Sequence, residues 1–314
     1  VTMRVGAIDC GTNSIRLLVA DRDGEDLTYL ARRTEIVRLG QGVDVTGRIA
    51  DEAMARTLLV AREYAQICRE HSVDAVRFVA TSASRDAANA GEFVDGVRSA
   101  FGSYDVVPEV VSGHEEASLS FTGATGPLRA QNAEAPFLVV DLGGGSTELV
   151  LGTDDVEQSI SLDIGSVRMT ERHLRSDPPT AAEIESAMVD IDAALDEAEK
   201  VVDLSAAKTL VGLAGSVTTV TAHALGLSSY DSSRIHGAEL TLGQALASCD
   251  ALLGAGRDER AAYGFMHPGR VDVIGAGALI WRAVVQRVAA RACLTEVRTS
   301  ETDILDGIAL SITA

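Results

Sequence analysis

Two short phrases in the sequence place a carboxylate, a glycine and a serine at the same spacing. Ile8-Asp9-Cys10-Gly11-Thr12-Asn13-Ser14 and Val140-Asp141-Leu142-Gly143-Gly144-Gly145-Ser146 both read Asp-x-Gly-x-x-Ser. Each is followed by an apolar run, Leu17-Leu18-Val19 in the first copy and Leu149-Val150-Leu151 in the second. A carboxylate at the carboxyl end of a buried strand in an open α/β sheet faces the crevice where ligands bind. The turn after it leaves amide hydrogens that can cradle anionic oxygens. Gly143-Gly144-Gly145 is the stronger of the two turns, because consecutive glycines permit close backbone approach. Neither phrase is GxGxxG or GxxxxGK[ST], so dinucleotide-fold and P-loop readings lose support.

Other residues fit the same chemistry. Gly212-Leu213-Ala214-Gly215-Ser216 follows a third apolar strand, and Gly275-Ala276-Gly277-Ala278 precedes an apolar, helix-like run. Singly, such turns serve helix–sheet packing; behind two phosphate-type turns they could follow a chain of phosphates or a nucleotide. Asp9, Asp141 and Glu148 are hard oxygen donors suited to magnesium. Hydrolysis of a phosphoanhydride also needs an oriented, deprotonated water. Glu115-Glu116 could supply the base, although acids in a helix's first turn are common for electrostatic reasons alone. Arg85 reads either as a bidentate phosphate ligand or as a surface ion pair. Cys10 reads as a buried small hydrophobe. The six histidines show no metal-ligand spacing, and only His114 borders the acidic pair.

The elements that must position these residues can be read from periodicity. Val5 to Ala20 predicts two strands joined by the Asp9–Ser14 turn, and Asp23-Gly24 predicts a reversal into an alternating stretch from Leu27 to Leu39. Met54, Leu58, Ala61, Ala65 and Cys68 mark one face of a helix over 51–71. Strands are expected at 76–80 and 106–111, each running into a helix, and Gly123 to Pro136 is the linker candidate. A second lobe restarts at Phe137 and continues through a strand region at 156–164. Thr180 with Glu183 forms a capping-box pattern ahead of a helix with Ile184, Met188, Ile191, Leu195 and Ala198 on its buried side. The acidic run between Asp190 and Glu199 reads as a solvated helix face. A strand is expected at 209–213 and a helix at 220–225, with another amphipathic helix near the carboxyl terminus.

At 314 residues the chain can bury two cores. The composition is 46% hydrophobic and only 4% aromatic with 29 glycines, as expected of a compact α/β protein built from small and aliphatic side chains. A formal net charge of -19 argues against nucleic acid or an anionic membrane as partner. Four scattered cysteines without CxxC fit a reducing compartment, and no leader or long apolar span is evident, so a cytoplasmic location is expected.

With these residues assembled, the chain resembles the exopolyphosphatase / guanosine pentaphosphate phosphatase (Ppx/GppA) family of the actin-like, sugar-kinase and heat-shock ATPase superfamily. The resemblance rests on Ala7 to Ser14, Ala80-Thr81-Ser82-Ala83-Ser84-Arg85-Asp86-Ala87, Val111-Ser112-Gly113-His114-Glu115-Glu116-Ala117 and Val140 to Leu149. Weaker echoes lie at Gly212 to Ser216 and Arg270 to Leu279. It implies an α/β fold of two actin-like, ribonuclease H-like lobes with mixed sheets flanked by helices, and an active site in the interlobe cleft. The lobes are expected at 1–128 and 129–314, with the carboxyl-terminal helix able to pack back on the first.

The resemblance further implies Glu116 as catalytic base, and Asp141 and Glu148 as ligands of Mg2+, with Mn2+ as a substitute. Asp9, Gly11, Thr12, Asn13, Ser14, Arg85, Gly143, Gly144, Gly145, Ser146, Gly215 and Ser216 would bind phosphate. The implied reaction is attack of water on the end phosphate of inorganic polyphosphate, releasing orthophosphate. Related readings are hydrolysis of guanosine pentaphosphate and a non-catalytic sensor of guanosine tetra- or pentaphosphate. A homodimer is expected by analogy. Longer family members carry further domains, so short polyphosphates are the expected substrates here. Ser300 to Gly307 departs from the family's Ser-x-x-Gly-x-Arg-Glu-Gly phrase, with an acid expected in the place of its Arg.

Overall fold

A computed structural model describes residues 2–313. The chain forms two compact units: residues up to Gly123 together with those from Ile304 onward, and Ala124–Asp303.

The first unit opens with a meander, β1 (Met3–Cys10), β2 (Ser14–Asp23) and β3 (Asp26–Ile36). The short α1 (Val43–Thr46) and the long α2 (Asp51–Glu70) lead to β4 (Ala75–Ala80). Then come α3 (Ser82–Asp86), α4 (Ala90–Phe101), β5 (Glu109–Val110) and α5 (Gly113–Ala130). The sheet order is β3-β2-β1-β4-β5, with β4 parallel to both β1 and β5 and antiparallel pairing within the meander. Side chains alternate across a strand. Ile8 and Cys10 therefore pack with residues of α2 and α4, while Val5 and Ala7 face a second apolar cluster.

The second unit repeats this plan. Its meander is β6 (Phe137–Leu142), β7 (Thr147–Gly152) and β8 (Val156–Leu162). Next come α6 (Ser166–His173), α7 (Ala181–Glu199), β9 (Thr209–Leu213) and α8 (Ala214–Ala224). The chain continues through α9 (Ser232–Ile235), β10 (Glu239–Thr241), α10 (Leu242–Gly254) and α11 (Arg257–Ala262). It then forms α12 (Ile274–Ala292) and β11 (Glu296–Thr299) before α13 (Ile304–Ser311), which belongs to the first unit. The sheet order β10-β11-β9-β6-β7-β8 has β9 parallel to β6 and to β11. Meander, then two parallel strands on the side of its first member, is thus common to both units. The sheets are mixed and flanked by helices, in line with the expected α/β, actin-like class.

Four expectations change. The first part of the linker candidate, 123–130, is helix, and only 131–136 is a non-helical connection: α5 runs to Ala130 with Pro127 inside it, forfeiting the hydrogen bond a residue there would give to the Gly123 carbonyl. The units part at 123/124, where the sequence pointed to 128/129. Gly215 and Ser216 lie in the first turn of α8, and Gly275 and Gly277 lie inside α12, so none of these is a free loop. Close packing explains the glycines. A Cβ on Gly277 would lie 2.2 Å from Ser216 Oγ, and one on Gly275 would lie 2.7 Å from a terminal nitrogen of the buried Arg260.

The phrase from Ser300 to Gly307, taken in register, puts the buried Leu305 in the place of the family's Arg and Asp306 in that of its Glu. Asp306 is buried and receives Tyr29 Oη and the Arg32 guanidinium, tying α13 to β3. Its position is accounted for by packing within the first unit.

Candidate active site

In the first unit, three connections lie side by side at the carboxyl ends of parallel strands: 11–14 after β1, 81–85 after β4 and 111–116 after β5. Backbone bonds stitch them together. Thr81 N donates to Cys10 O at 3.1 Å and Val111 N to Ala80 O at 3.0 Å. In the second unit the equivalent connections follow β6, β9 and β11, with Ser300 N donating to Gly212 O at 3.1 Å. Ligands of open α/β sheets bind outside strand carboxyl ends, and the two Asp-x-Gly-x-x-Ser turns, Arg85 and Glu116 lie at that edge of their own sheets.

The two Asp-x-Gly-x-x-Ser turns have one geometry. Gly11 N donates to Ser14 O at 2.9 Å, and Gly143 N to Ser146 O at 3.0 Å. Those two amides close the turns and are committed. The amides that follow them are different. In a planar trans peptide the carbonyl and the next N–H point in opposite directions. The carbonyl of Gly143 accepts from Ser166 N, that of Gly144 from Val167 N and Arg168 N, and that of Gly145 from Arg168 Nε at 2.7 Å. The amides of Gly144, Gly145 and Ser146 consequently turn away from α6. In the first unit Thr12 O accepts from Gly40 N, and Asn13 O from Val37 N and Arg38 N, which turns the Asn13 and Ser14 amides away from the 37–40 segment.

Each brace depends on a glycine that sequence reading passed over. A Cβ on Gly165 would lie 2.4 Å from the Gly144 carbonyl, and one on Gly40 would lie 2.3 Å from Thr12 Cγ2. Thr12 Oγ1 and Ser84 Oγ, on buried residues beside Gly40 and in α3, have no hydrogen-bond partner among the described residues. Buried hydroxyls are almost always bonded, and a phosphate oxygen would satisfy them.

Where the two turns differ is in the residue facing the aspartate. Asp9 stands opposite Arg16 across β1 and β2, and Arg16 Nη2 donates to Asp9 Oδ2 at 2.7 Å. Asp141 stands opposite Glu148 across β6 and β7. Asp141 is 6% exposed and Glu148 1%. Directly opposed like charges repel, and hard, buried carboxylate oxygens in a pair are the donor set that a divalent cation of the magnesium type accepts. Arg16, which completes the first hairpin, was missed by sequence reading; its only signal is its register opposite Asp9.

Glu116 lies in the first turn of α5 and is 8% exposed. Arg85 Nη1 donates to Glu116 Oε2 at 2.8 Å and to Val111 O at 2.9 Å. Arg85 thus forms an ion pair, one of its two expected readings, and its partner is the buried candidate base. Glu115, in contrast, is bound with Glu109 to Arg77. Burial, and then the neighbouring Asp9, push the Cys10 thiol well up, which favours the thiol over the nucleophilic thiolate and agrees with its reading as a buried small hydrophobe. Ser216 meets the Gly143–Gly145 turn indirectly: Gly277 separates Ser216 from Ser166, whose amide binds Gly143. The side chain of Arg270 fills the space above Gly215, where a Cβ would lie 2.0 Å from a guanidinium nitrogen.

Duplicated mixed sheets flanked by helices, each with a meander followed by two parallel strands, define an actin-like α/β protein. Residues 18–312 match the Ppx/GppA phosphatase family. The chain is 48% identical to exopolyphosphatase 2 of Mycobacterium tuberculosis over 315 aligned positions, covering 98% of each protein. Its structure is similar to the crystal structure of an exopolyphosphatase-like protein (TM-score 0.95, 47% identity, 98% and 97% of the two chains). It is also similar to that of the Aquifex aeolicus PPX-GPPA enzyme (TM-score 0.80, 32% identity, 99% and 100%). The chain belongs to the Ppx/GppA phosphatase family.

Proposed function

We propose that this protein is a magnesium-dependent exopolyphosphatase that releases orthophosphate from the end of inorganic polyphosphate. The substrate follows the full-length likeness to exopolyphosphatase 2. The observation that carries the chemistry is the contrast between the hairpins: the first neutralises its aspartate with Arg16, whereas the second sets Glu148 against Asp141. Asp141 and Glu148 would hold Mg2+, which when bound neutralises non-bridging oxygens of the phosphoanhydride. In the first unit the amides of Asn13 and Ser14 and the hydroxyls of Thr12 and Ser84 would bind phosphate, and in the second the amides of Gly144, Gly145 and Ser146 would do so.

Glu116 is the base. Its carboxylate accepts a proton from water as the water oxygen bonds to the terminal phosphorus. The bond from that phosphorus to the bridging oxygen breaks, and the bridging oxygen leaves on the shortened chain. Arg85 orients the Glu116 carboxylate and lies within the same loop cluster as Thr12 and Ser84, where it can also meet phosphate oxygen.

The test is orthophosphate release from polyphosphates of defined length and from guanosine pentaphosphate, with and without magnesium. Release from polyphosphate that stops on chelation is expected. Release from guanosine pentaphosphate alone, or equal release without a divalent cation, would overturn the assignment.

A further inference from the structure

β7 pairs not only with β6 but also with β8, and in that second ladder Glu148 stands opposite Ser161. Directly opposed residues point to the same face. Three adjacent strands therefore put Asp141, Glu148 and Ser161 in one row across the sheet. Ser161 Oγ donates to Glu148 Oε1 at 2.6 Å. This serine lies outside every motif of the sequence.

We propose that Ser161 is a positioning residue for the metal carboxylate: its hydroxyl fixes the rotation of the Glu148 carboxylate. The proposal rests on the reading of Asp141 and Glu148 as the magnesium pair. A glutamate has three side-chain torsions, and the last, at the carboxylate, is broad and only two-fold. A donor across the strand converts that soft torsion into a fixed orientation before any cation arrives. Partners of this kind behind a metal ligand typically change affinity about 10- to 100-fold when removed. The first hairpin needs no such device, because Arg16 itself fixes the Asp9 carboxylate with two donors, Nε at 3.0 Å and Nη2 at 2.7 Å.

The experiment measures Mn2+ bound by the full chain without substrate, from the loss of the free-ion electron paramagnetic resonance signal. Wild type, Ser161→Ala, Ser161→Thr and Glu148→Gln are compared, with thermal unfolding recorded for each. The expected result is a Mn2+ affinity about 10- to 100-fold weaker in Ser161→Ala, near wild type in Ser161→Thr, and lost in Glu148→Gln. The magnesium concentration that half-saturates phosphate release should rise by the same factor in Ser161→Ala. If Ser161→Ala does not fold, Ser161→Cys, of the same shape with a weak donor, carries the same expectation. Wild-type affinity in Ser161→Ala beside loss in Glu148→Gln would overturn the role of Ser161 and leave the metal pair standing. A lowered unfolding temperature with unchanged affinity would do the same. Equal binding by wild type and Glu148→Gln would overturn the metal reading itself.

Discussion

Asp9 and Asp141 occupy equivalent places in equivalent turns, yet one faces a guanidinium and the other a carboxylate. That difference predicts opposite responses to substitution. Arg16→Ala leaves Asp9 buried without the partner whose side chain is itself only 16% exposed, and should cost about 3–5 kcal/mol in urea unfolding. A cost below about 1 kcal/mol, the range of exposed pairs, would show the ion pair to be dispensable. Asp141→Asn leaves one carboxylate where two stand opposed across the strands, so without divalent cations its urea midpoint should equal or exceed that of wild type. The same variant should lose the stabilisation that magnesium gives wild type by binding the native state. The Asp, Gly and Ser positions were legible because turn chemistry constrains residue type locally. Arg16 and Ser161 were not, because a polar residue on an alternating strand acquires its role only from the neighbouring strand.

Braces, rather than the turns they hold, are the weak points at the level of elements. Gly165→Ala would drive a Cβ into the Gly144 carbonyl. It should cost about 1–3 kcal/mol of stability and, by displacing the amides proposed to bind phosphate, about 10²-fold in kcat/KM. Steady-state kinetics beside a urea titration reads both, and an unchanged kcat/KM would show that the α6 brace does not set the turn. At its other end α6 meets α7 through His173, Arg172 and Asp190. Hydrogen bonding from His173, and then from Arg172, holds the Asp190 carboxyl below its usual range. A carboxyl depressed in the folded state contributes stability above its unfolded pKa and loses it as pH falls through the folded value. The contribution should therefore be complete above about pH 4 and fade below it. Thermal unfolding of Asp190→Asn across that window should show a shallower loss than wild type; identical slopes would contradict the assignment.

The helix α7 itself was legible from its Thr180–Glu183 capping box, which the structure contains with both reciprocal bonds. The starts of α8 and α12 were not. Glycine disfavours a helix locally, but at Gly215, Gly275 and Gly277 a side chain would collide with Arg270, Arg260 and Ser216. Tertiary packing there outweighs propensity, and nothing local signals it.

For the whole molecule, the duplication seen in fourteen residues of sequence extends to strand order, turn closure and the glycine braces behind each turn. The two-unit division was legible in that repeat. Its boundaries were less so, because α5 carries helix through a stretch rich in glycine and proline, and because α13 is joined to the first unit by contacts, including Asp306 with Arg32, between residues far apart in sequence. Among the described residues no helix is long and apolar enough to cross a membrane. The base assigned to Glu116 is the claim on which the hydrolytic account stands. Its most direct test is orthophosphate release from polyphosphate by Glu116→Gln at saturating magnesium, with thermal unfolding as the control for folding. The account predicts a loss of about 10²- to 10⁴-fold in kcat with the unfolding temperature retained; turnover at the wild-type rate by a folded Glu116→Gln protein would contradict it.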